Sequence, residues 1–168
     1  MTGDVERLNA LTPEEAEASL LKCCGSAKWA ARVAASRPFE DMHELLLTAD
    51  HVWWALDSPD WLEAFAAHPK IGEKKAADSS ASANWAAEEQ RGATGASGDT
   101  LQELAQANHD YERRFGYIFI VCATGKSADE MLALLKERLH HEPDTELRIA
   151  AEEQRRITHL RLEKLLSP

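Results

Sequence analysis

Residues 145–166 read TELRIAAEEQRRITHLRLEKLL, and this stretch decides the fold. Its apolar and small residues recur at steps of three and four, which predicts one long amphipathic helix with a stripe facing the core. The stripe consists of Leu147, Ala150, Ala151, Gln154, Ile157, Thr158, Arg161 and Leu165. A buried arginine is unfavourable unless it is paired, so we expect either a protein carboxylate or an anionic ligand beside Arg161.

The rest of the chain carries further helix start and stop signals. Thr12-Pro13-Glu14-Glu15 combines a threonine cap, a proline in the first turn and a glutamate three residues after the cap. Ser127 and Glu130 form a second such capping box, and Gly116 closes the helix before it. The predicted helices cover about residues 12–24, 27–35, 40–56, 58–68, 84–91, 99–115, 127–140 and 145–166.

The run from Tyr117 to Cys122 is the one segment with strand-like composition. A single strand has no partner in an otherwise helical chain, so we expect buried irregular or helical backbone there. The sequence therefore predicts an all-α fold, a single domain over residues 1–168 built as a bundle of about seven to eight helices.

Composition excludes several classes of function. The chain has 168 residues with 19 basic and 29 acidic side chains, a net charge of -10, which argues against a nucleic-acid partner. No apolar run reaches the length of a membrane span. The cysteines Cys23, Cys24 and Cys122 form neither a disulfide framework nor a zinc knuckle, and neither terminus resembles a targeting signal. We therefore expect a reducing compartment and a cytoplasmic location.

Two Glu-x-x-His pairs, Glu40 with His43 and Glu137 with His140, have the spacing found in di-iron helical bundles. Each pair falls in the first or last turn of a predicted helix, where such residues usually match the helix dipole and face solvent. We therefore favour a structural interpretation and expect no metal site.

A second group of residues suits acid/base chemistry. His68 lies at a helix-to-loop junction before Pro69, which restricts the backbone of the histidine. Glu89 and Gln90 follow on the short helix after a polar loop, and Gln90 offers one donor and one acceptor to a ligand. The rival interpretation is a helical interaction module in which His68, Glu89 and Arg161 are ordinary surface or core residues.

Several segments along the chain carry distinctive motifs. They are AHPKIG at 67–72 with EQRG at 89–92, NHDYERRFG at 108–116, FIVCATGKS at 119–127, and EQRRITHLRL at 153–162. In this order they resemble the 2-oxo-4-hydroxy-4-carboxy-5-ureidoimidazoline (OHCU) decarboxylase family, and the resemblance extends from about Asn9 to Leu166.

The resemblance implies an all-helical, usually homodimeric enzyme that needs no cofactor and catalyses the last step from urate to (S)-allantoin. It places the catalytic histidine at His68 and the motif glutamate at Glu89. The residues that it assigns to substrate binding are Pro69, Gln90, Phe119, Ile120, Val121, Cys122, Ala123 and Arg161. One departure is Ala86, where the family often has serine, so one polar contact is either missing or supplied by Ser82 or Asn84.

The chemistry fits this set of residues. OHCU carries a ring C=N beside the carbon that loses CO2, so the substrate supplies its own electron sink. We expect His68 to deliver a proton to one face of the carbanion and Glu89 to orient the imidazole or a ring N–H. We also expect backbone N–H groups of residues 119–123 to face developing negative charge, which requires non-helical backbone there.

Overall fold

The computed structural model describes residues 2–70, 85, 88, 89, 91 and 97–167. These residues contain eight helices and no strand, so the all-α prediction is confirmed. The helices are α1 (Thr2–Ala10), α2 (Pro13–Leu21), α3 (Ala27–Ala35), α4 (Met42–Trp54), α5 (Ser58–Ala66), α6 (Gly98–Phe115), α7 (Ala128–Arg138) and α8 (Pro143–Leu166). Half of the predicted helix at 84–91, namely residues 84, 86, 87 and 90, lies outside the described residues. No helix in the described ranges is long and apolar enough to cross a membrane.

The chain divides into two compact units whose boundaries fall within α5 and α8. The first unit comprises Met1–Ala64 and Arg155–Pro168, and the second unit comprises Phe65–Gln154. That residues 1–168 form one domain remains a prediction.

Side-chain caps define where several helices begin. Thr12 accepts a hydrogen bond from the Glu15 N–H at 3.2 Å, while the Thr12 N–H donates to the Glu15 carboxylate at 3.0 Å, so the predicted capping box is present. Ser127 accepts from the Glu130 N–H at 3.1 Å, so the predicted cap is present, while the Glu130 carboxylate accepts from the Ser127 hydroxyl at 3.2 Å and not from the Ser127 N–H of a full capping box. The sequence predicts Asp99-Thr100 as the cap of α6, but the N-cap is Ser97, two residues earlier.

The helix α1 was not predicted. Its sequence is mostly polar and shows little apolar periodicity, but Val5 and Leu8 are both buried, and α1 packs against α4 within the first unit. Short helices are marginal in isolation and depend on tertiary packing for stability. The missing signal is therefore a contact between distant segments of the chain.

The helix α6 ends at Gly116, whose φ of 85° lies in the left-handed region that favours glycine. Its N–H donates to the carbonyl of Glu112 at 2.8 Å. Residues 117–123 then run as irregular backbone, and residues 119–123 are buried. The expectation of buried, non-strand backbone is confirmed.

The core of the second unit forms where α6 and α7 pack together against this irregular segment. An ionic cluster lies beside the core: Arg138 Nε and Nη2 donate to Glu146 Oε2 at 2.8 and 2.6 Å, and the Tyr111 hydroxyl donates to the same oxygen. His141 Nδ1 lies 3.1 Å from the other carboxylate oxygen. The side chains of Arg138 and Glu146 are only 6% and 0% exposed. Because water does not solvate these charges, each one is stabilised by the opposite charge of the other.

We predict that Arg138→Met lowers the free energy of unfolding by about 3–5 kcal/mol, because it leaves the Glu146 charge buried without its partner. The matched control is Lys136→Met on the same helix, where Lys136 pairs with Glu103 at 3.1 Å but both side chains are more than half exposed. Breaking an exposed pair changes stability by about 1 kcal/mol or less. Denaturant titration of both variants measures the difference, and equal losses would contradict this account.

Candidate active site

His68 lies in the turn that follows α5, where its N–H donates to the carbonyl of Phe65 at 3.2 Å. The side chain is half-buried, and its Nε2 lies 2.6 Å from Oε1 of Gln154 on α8. Gln154 is fully buried. Both residues belong to the second unit, so this contact forms within one compact body. A buried amide therefore holds the ring of the predicted catalytic histidine.

A salt bridge anchors the same loop a little further along the chain. Lys70 Nζ lies 2.9 Å from the Glu112 carboxylate on α6, and both side chains are half-exposed. An exposed ion pair contributes about 1 kcal/mol or less, so this pair restrains the loop that carries His68 and Pro69 only weakly.

The backbone of residues 119–123 is held by side chains of neighbouring elements. The Ile120 carbonyl accepts from Arg138 Nη1 at 2.6 Å, and the Cys122 carbonyl accepts from Lys126 Nζ at 2.7 Å. The Cys122 N–H donates to Glu153 Oε1 at 3.2 Å. The predicted non-helical backbone is confirmed, and the Cys122 N–H is bonded to the nearly buried Glu153 carboxylate. That N–H groups of residues 119–123 face developing negative charge stays a prediction.

Glu89 is buried at 7% exposure, and its negative charge raises the pKa of the Cys122 thiol. Burial raises the pKa of Cys122 above its usual value, and the carboxylates of Glu153 and Glu89 raise it further, against the opposing charge of Lys126. The negative charges of two carboxylates thus keep this thiol protonated at neutral pH. A neutral thiol is a poor nucleophile.

Arg161 belongs to the first unit, where it is 6% exposed and its Nη1 donates to the carbonyl of Lys22 at 3.4 Å. Burial raises the pKa of the Cys23 thiol and of the Cys24 thiol to about 12. The positive charge of Arg161 opposes this rise in pKa at both thiols. The stripe of α8 is inside as predicted, except that Leu147 and Leu165 are half-buried. This geometry is compatible with either expected partner for the Arg161 guanidinium.

Some predicted positions lie outside the described residues, namely Gln90, Ser82, Asn84 and Ala86. The Glu-x-x-His pairs are described, and all four side chains are exposed. These residues are Glu40, His43, Glu137 and His140. Because a di-iron bundle needs its ligands in the interior, these pairs do not build one. Across the described ranges no three histidine, cysteine, aspartate or glutamate side chains are grouped to hold a metal ion.

Comparison with known proteins assigns the family. The model of the OHCU decarboxylase family matches residues 9–163, nearly the whole chain. This chain belongs to the OHCU decarboxylase family. The resemblance read from the sequence motifs is thereby confirmed, and the family extends through both compact units.

One solved structure and two relatives illustrate how similar this chain is to known OHCU decarboxylases. A crystal structure of OHCU decarboxylase in the presence of (S)-allantoin superposes with a TM-score of 0.78 at 41% identity, covering 89% of this chain and 99% of that one. The uric acid degradation bifunctional protein TTL of Arabidopsis thaliana is 42% identical over 86% of this chain, which spans only 45% of that longer protein. The OHCU decarboxylase of Haloferax volcanii is 29% identical, over 83% of this chain and 82% of its own length.

Sequence reasoning missed the roles of Glu153 and Gln154 in this family member. Both residues were visible in the terminal motif, and Gln154 fell on the predicted buried stripe. A buried amide requires hydrogen-bond partners, which is a signal that a polar residue inside an apolar stripe can provide. The identity of those partners depends on the tertiary structure.

We predict that the native protein shows no thiol that reacts rapidly at neutral pH, because all three cysteines are free but buried with raised pKa values. Titration with a chromogenic disulfide reagent should release little colour from the native protein and three equivalents after unfolding in guanidinium. Rapid labelling of Cys122 in the folded protein would contradict its assignment as an inert thiol.

Proposed function

We propose that this chain performs the reaction of its family, the decarboxylation of OHCU to (S)-allantoin in urate degradation, with His68 as the proton donor. Family membership supports the reaction. The observation that carries the role of His68 is its half-buried imidazole, held at 2.6 Å by Gln154. An imidazole has a pKa near neutrality and transfers protons efficiently when it is fixed in place.

The reaction balances with one proton for each CO2 released. The bond between the carboxylate and the hydroxyl-bearing carbon breaks, and its electron pair forms a C=C bond to the ureido-bearing carbon. The electrons of the ring C=N move onto nitrogen, so the substrate acts as its own sink. Return of the enol to a carbonyl places hydrogen on the ureido-bearing carbon, the stereocentre of allantoin, and the proton lost by the enol hydroxyl passes to the negatively charged ring nitrogen. The imidazolium of His68 supplies the proton and is left neutral.

The other predicted site residues enter the proposal with the roles that the family resemblance gives them. Glu89 orients the imidazole or a substrate N–H, and its burial supports a role that needs a fixed carboxylate. Pro69 follows His68 in the same loop and is a substrate-binding position. The remaining substrate-binding positions are Gln90, Phe119, Ile120, Val121, Cys122, Ala123 and Arg161.

The proposal needs no cofactor, because the C=N of OHCU accepts the electron pair that a bound cofactor accepts in most decarboxylases. The family resemblance also implies a homodimer, and the three free cysteines fit a reducing cytoplasm. Both the dimer and the cytoplasmic location are part of the proposal. Sedimentation analysis tests the dimer directly.

We predict that His68→Ala lowers decarboxylase activity roughly 10²-fold or more while the fold is kept, because a positioned acid is lost. OHCU is generated in situ from urate, and its disappearance is followed with and without enzyme. The matched control is His43→Ala, an exposed histidine in the first turn of α4, which should keep the wild-type rate. A folded His68→Ala protein with near wild-type activity would remove His68 as the donor.

We predict that Arg161→Met raises KM strongly and leaves the melting temperature little changed, because the guanidinium serves a carboxylate of the substrate and methionine has a similar shape. The control is Arg156→Met, an exposed position on the same helix. If Arg161 instead pairs with a protein carboxylate, its removal costs about 3–5 kcal/mol of stability. A large loss of stability with an unchanged KM would withdraw Arg161 from the site.

A further inference from the structure

Gln154 makes the contact that defines the chemistry of His68. The amide is fully buried on α8, and its Oε1 lies 2.6 Å from His68 Nε2. An amide oxygen accepts hydrogen bonds and cannot donate one. The nitrogen that faces it must therefore carry the hydrogen, in the imidazolium and in the neutral ring alike.

The location of that hydrogen determines which nitrogen reacts. An imidazolium has a hydrogen on both nitrogens and loses one of them when it acts as an acid. The bond to Gln154 stabilises the Nε2 hydrogen, so the one that departs is on Nδ1. We propose that Gln154 is a positioning residue that keeps hydrogen on Nε2 of His68, so that Nδ1 hands its proton to the substrate carbon.

The reversed amide would conflict with the role of an acid. If the NH2 group of Gln154 faced Nε2, that hydrogen bond would require an unprotonated Nε2 with a lone pair. Protonation of His68 would then place the Nε2–H against the N–H of the amide. Such an arrangement destabilises the protonated form of His68, which the reaction needs as its acid. The acceptor orientation instead supports both the charged ring before transfer and the neutral ring after it.

The neighbouring residue strengthens the case that this turn of α8 organises the site. Glu153 precedes Gln154 in the chain and accepts from the Cys122 N–H at 3.2 Å. Two consecutive buried residues therefore hold the histidine and the irregular segment 119–123, two separate parts of the second unit. A substitution at Gln154 tests the histidine contact while leaving the Glu153 contact in place.

The transfer of a proton from Nδ1 to the substrate rests on the proposed function. The position of the hydrogen on Nε2 of His68 does not depend on that function. The experiment therefore has one arm for the hydrogen position and one arm for the reaction. In the first arm, long-range proton–nitrogen NMR of protein labelled with ¹⁵N-histidine locates the imidazole hydrogens, and His68→Asn identifies the His68 signals. We expect the neutral ring to carry a solvent-protected Nε2 hydrogen in the wild type and in Gln154→Glu, which keeps an acceptor. We expect Gln154→Leu to lose that protection.

In the second arm, kcat and KM are measured with OHCU. Gln154→Leu should lower kcat roughly tenfold or more with little change in KM, comparable to the 10–100-fold losses found when a partner that orients a metal-binding histidine is removed. Gln154→Glu should stay closer to the wild-type kcat. A Gln154→Leu protein with the wild-type kcat and an equally protected Nε2 hydrogen overturns the proposal.

A neutral wild-type His68 with its hydrogen on Nδ1 also overturns the proposal, and this result needs no variant to fold. If the wild type fails to accelerate loss of OHCU, the proposed function fails. The NMR arm then still decides whether Gln154 fixes the Nε2 hydrogen.

Discussion

Buried backbone that is not helical must find hydrogen-bond partners outside its own segment. In this protein that constraint falls on residues 119–123, which follow Gly116 as irregular chain inside the second unit. Side chains of α7 and α8 meet it: Arg138 binds the Ile120 carbonyl, and Glu153 binds the Cys122 N–H. The Arg138–Glu146 ion pair, whose two charges are costly to bury, is thereby tied to the position of this segment.

The same constraint links structure to chemistry. The turn of α8 that supplies Glu153 to the irregular segment also supplies Gln154 to His68, so one rigid helix sets the positions of two parts of the candidate site. Catalytic groups carried on loops are precise only when rigid elements hold them. The ion pair between Lys70 and Glu112 adds a further restraint on the histidine loop.

The sequence predicted the features that depend on local chemistry. The caps at Thr12 and Ser127 and the stop at Gly116 depend on neighbouring residues, and each was confirmed. The helix α1 was missed because its stability comes from packing, and the cap at Ser97 was missed because Asp99 and Thr100 offer a competing signal two residues later.

The candidate site was predicted in its residue types and motif order, but its contacts were not. Gln154 lies 86 residues from His68 in the chain, and no local pattern connects them. The stripe on α8 showed that Gln154 is buried, which implied a partner without naming it. The hydrogen bond from the Cys122 N–H was not predicted for the same reason, because its partner Glu153 is 31 residues away.

The central claim is that His68 delivers a proton to one face of the intermediate. Its most direct test is the enantiomeric composition of the allantoin formed in D2O from OHCU generated in situ from urate. Protonation by achiral solvent alone gives equal amounts of both enantiomers. The account predicts that the wild-type protein yields an excess of (S)-allantoin deuterated at the ureido-bearing carbon, while His68→Ala yields the racemate at the background rate. An undiminished excess of (S)-allantoin from His68→Ala would contradict it.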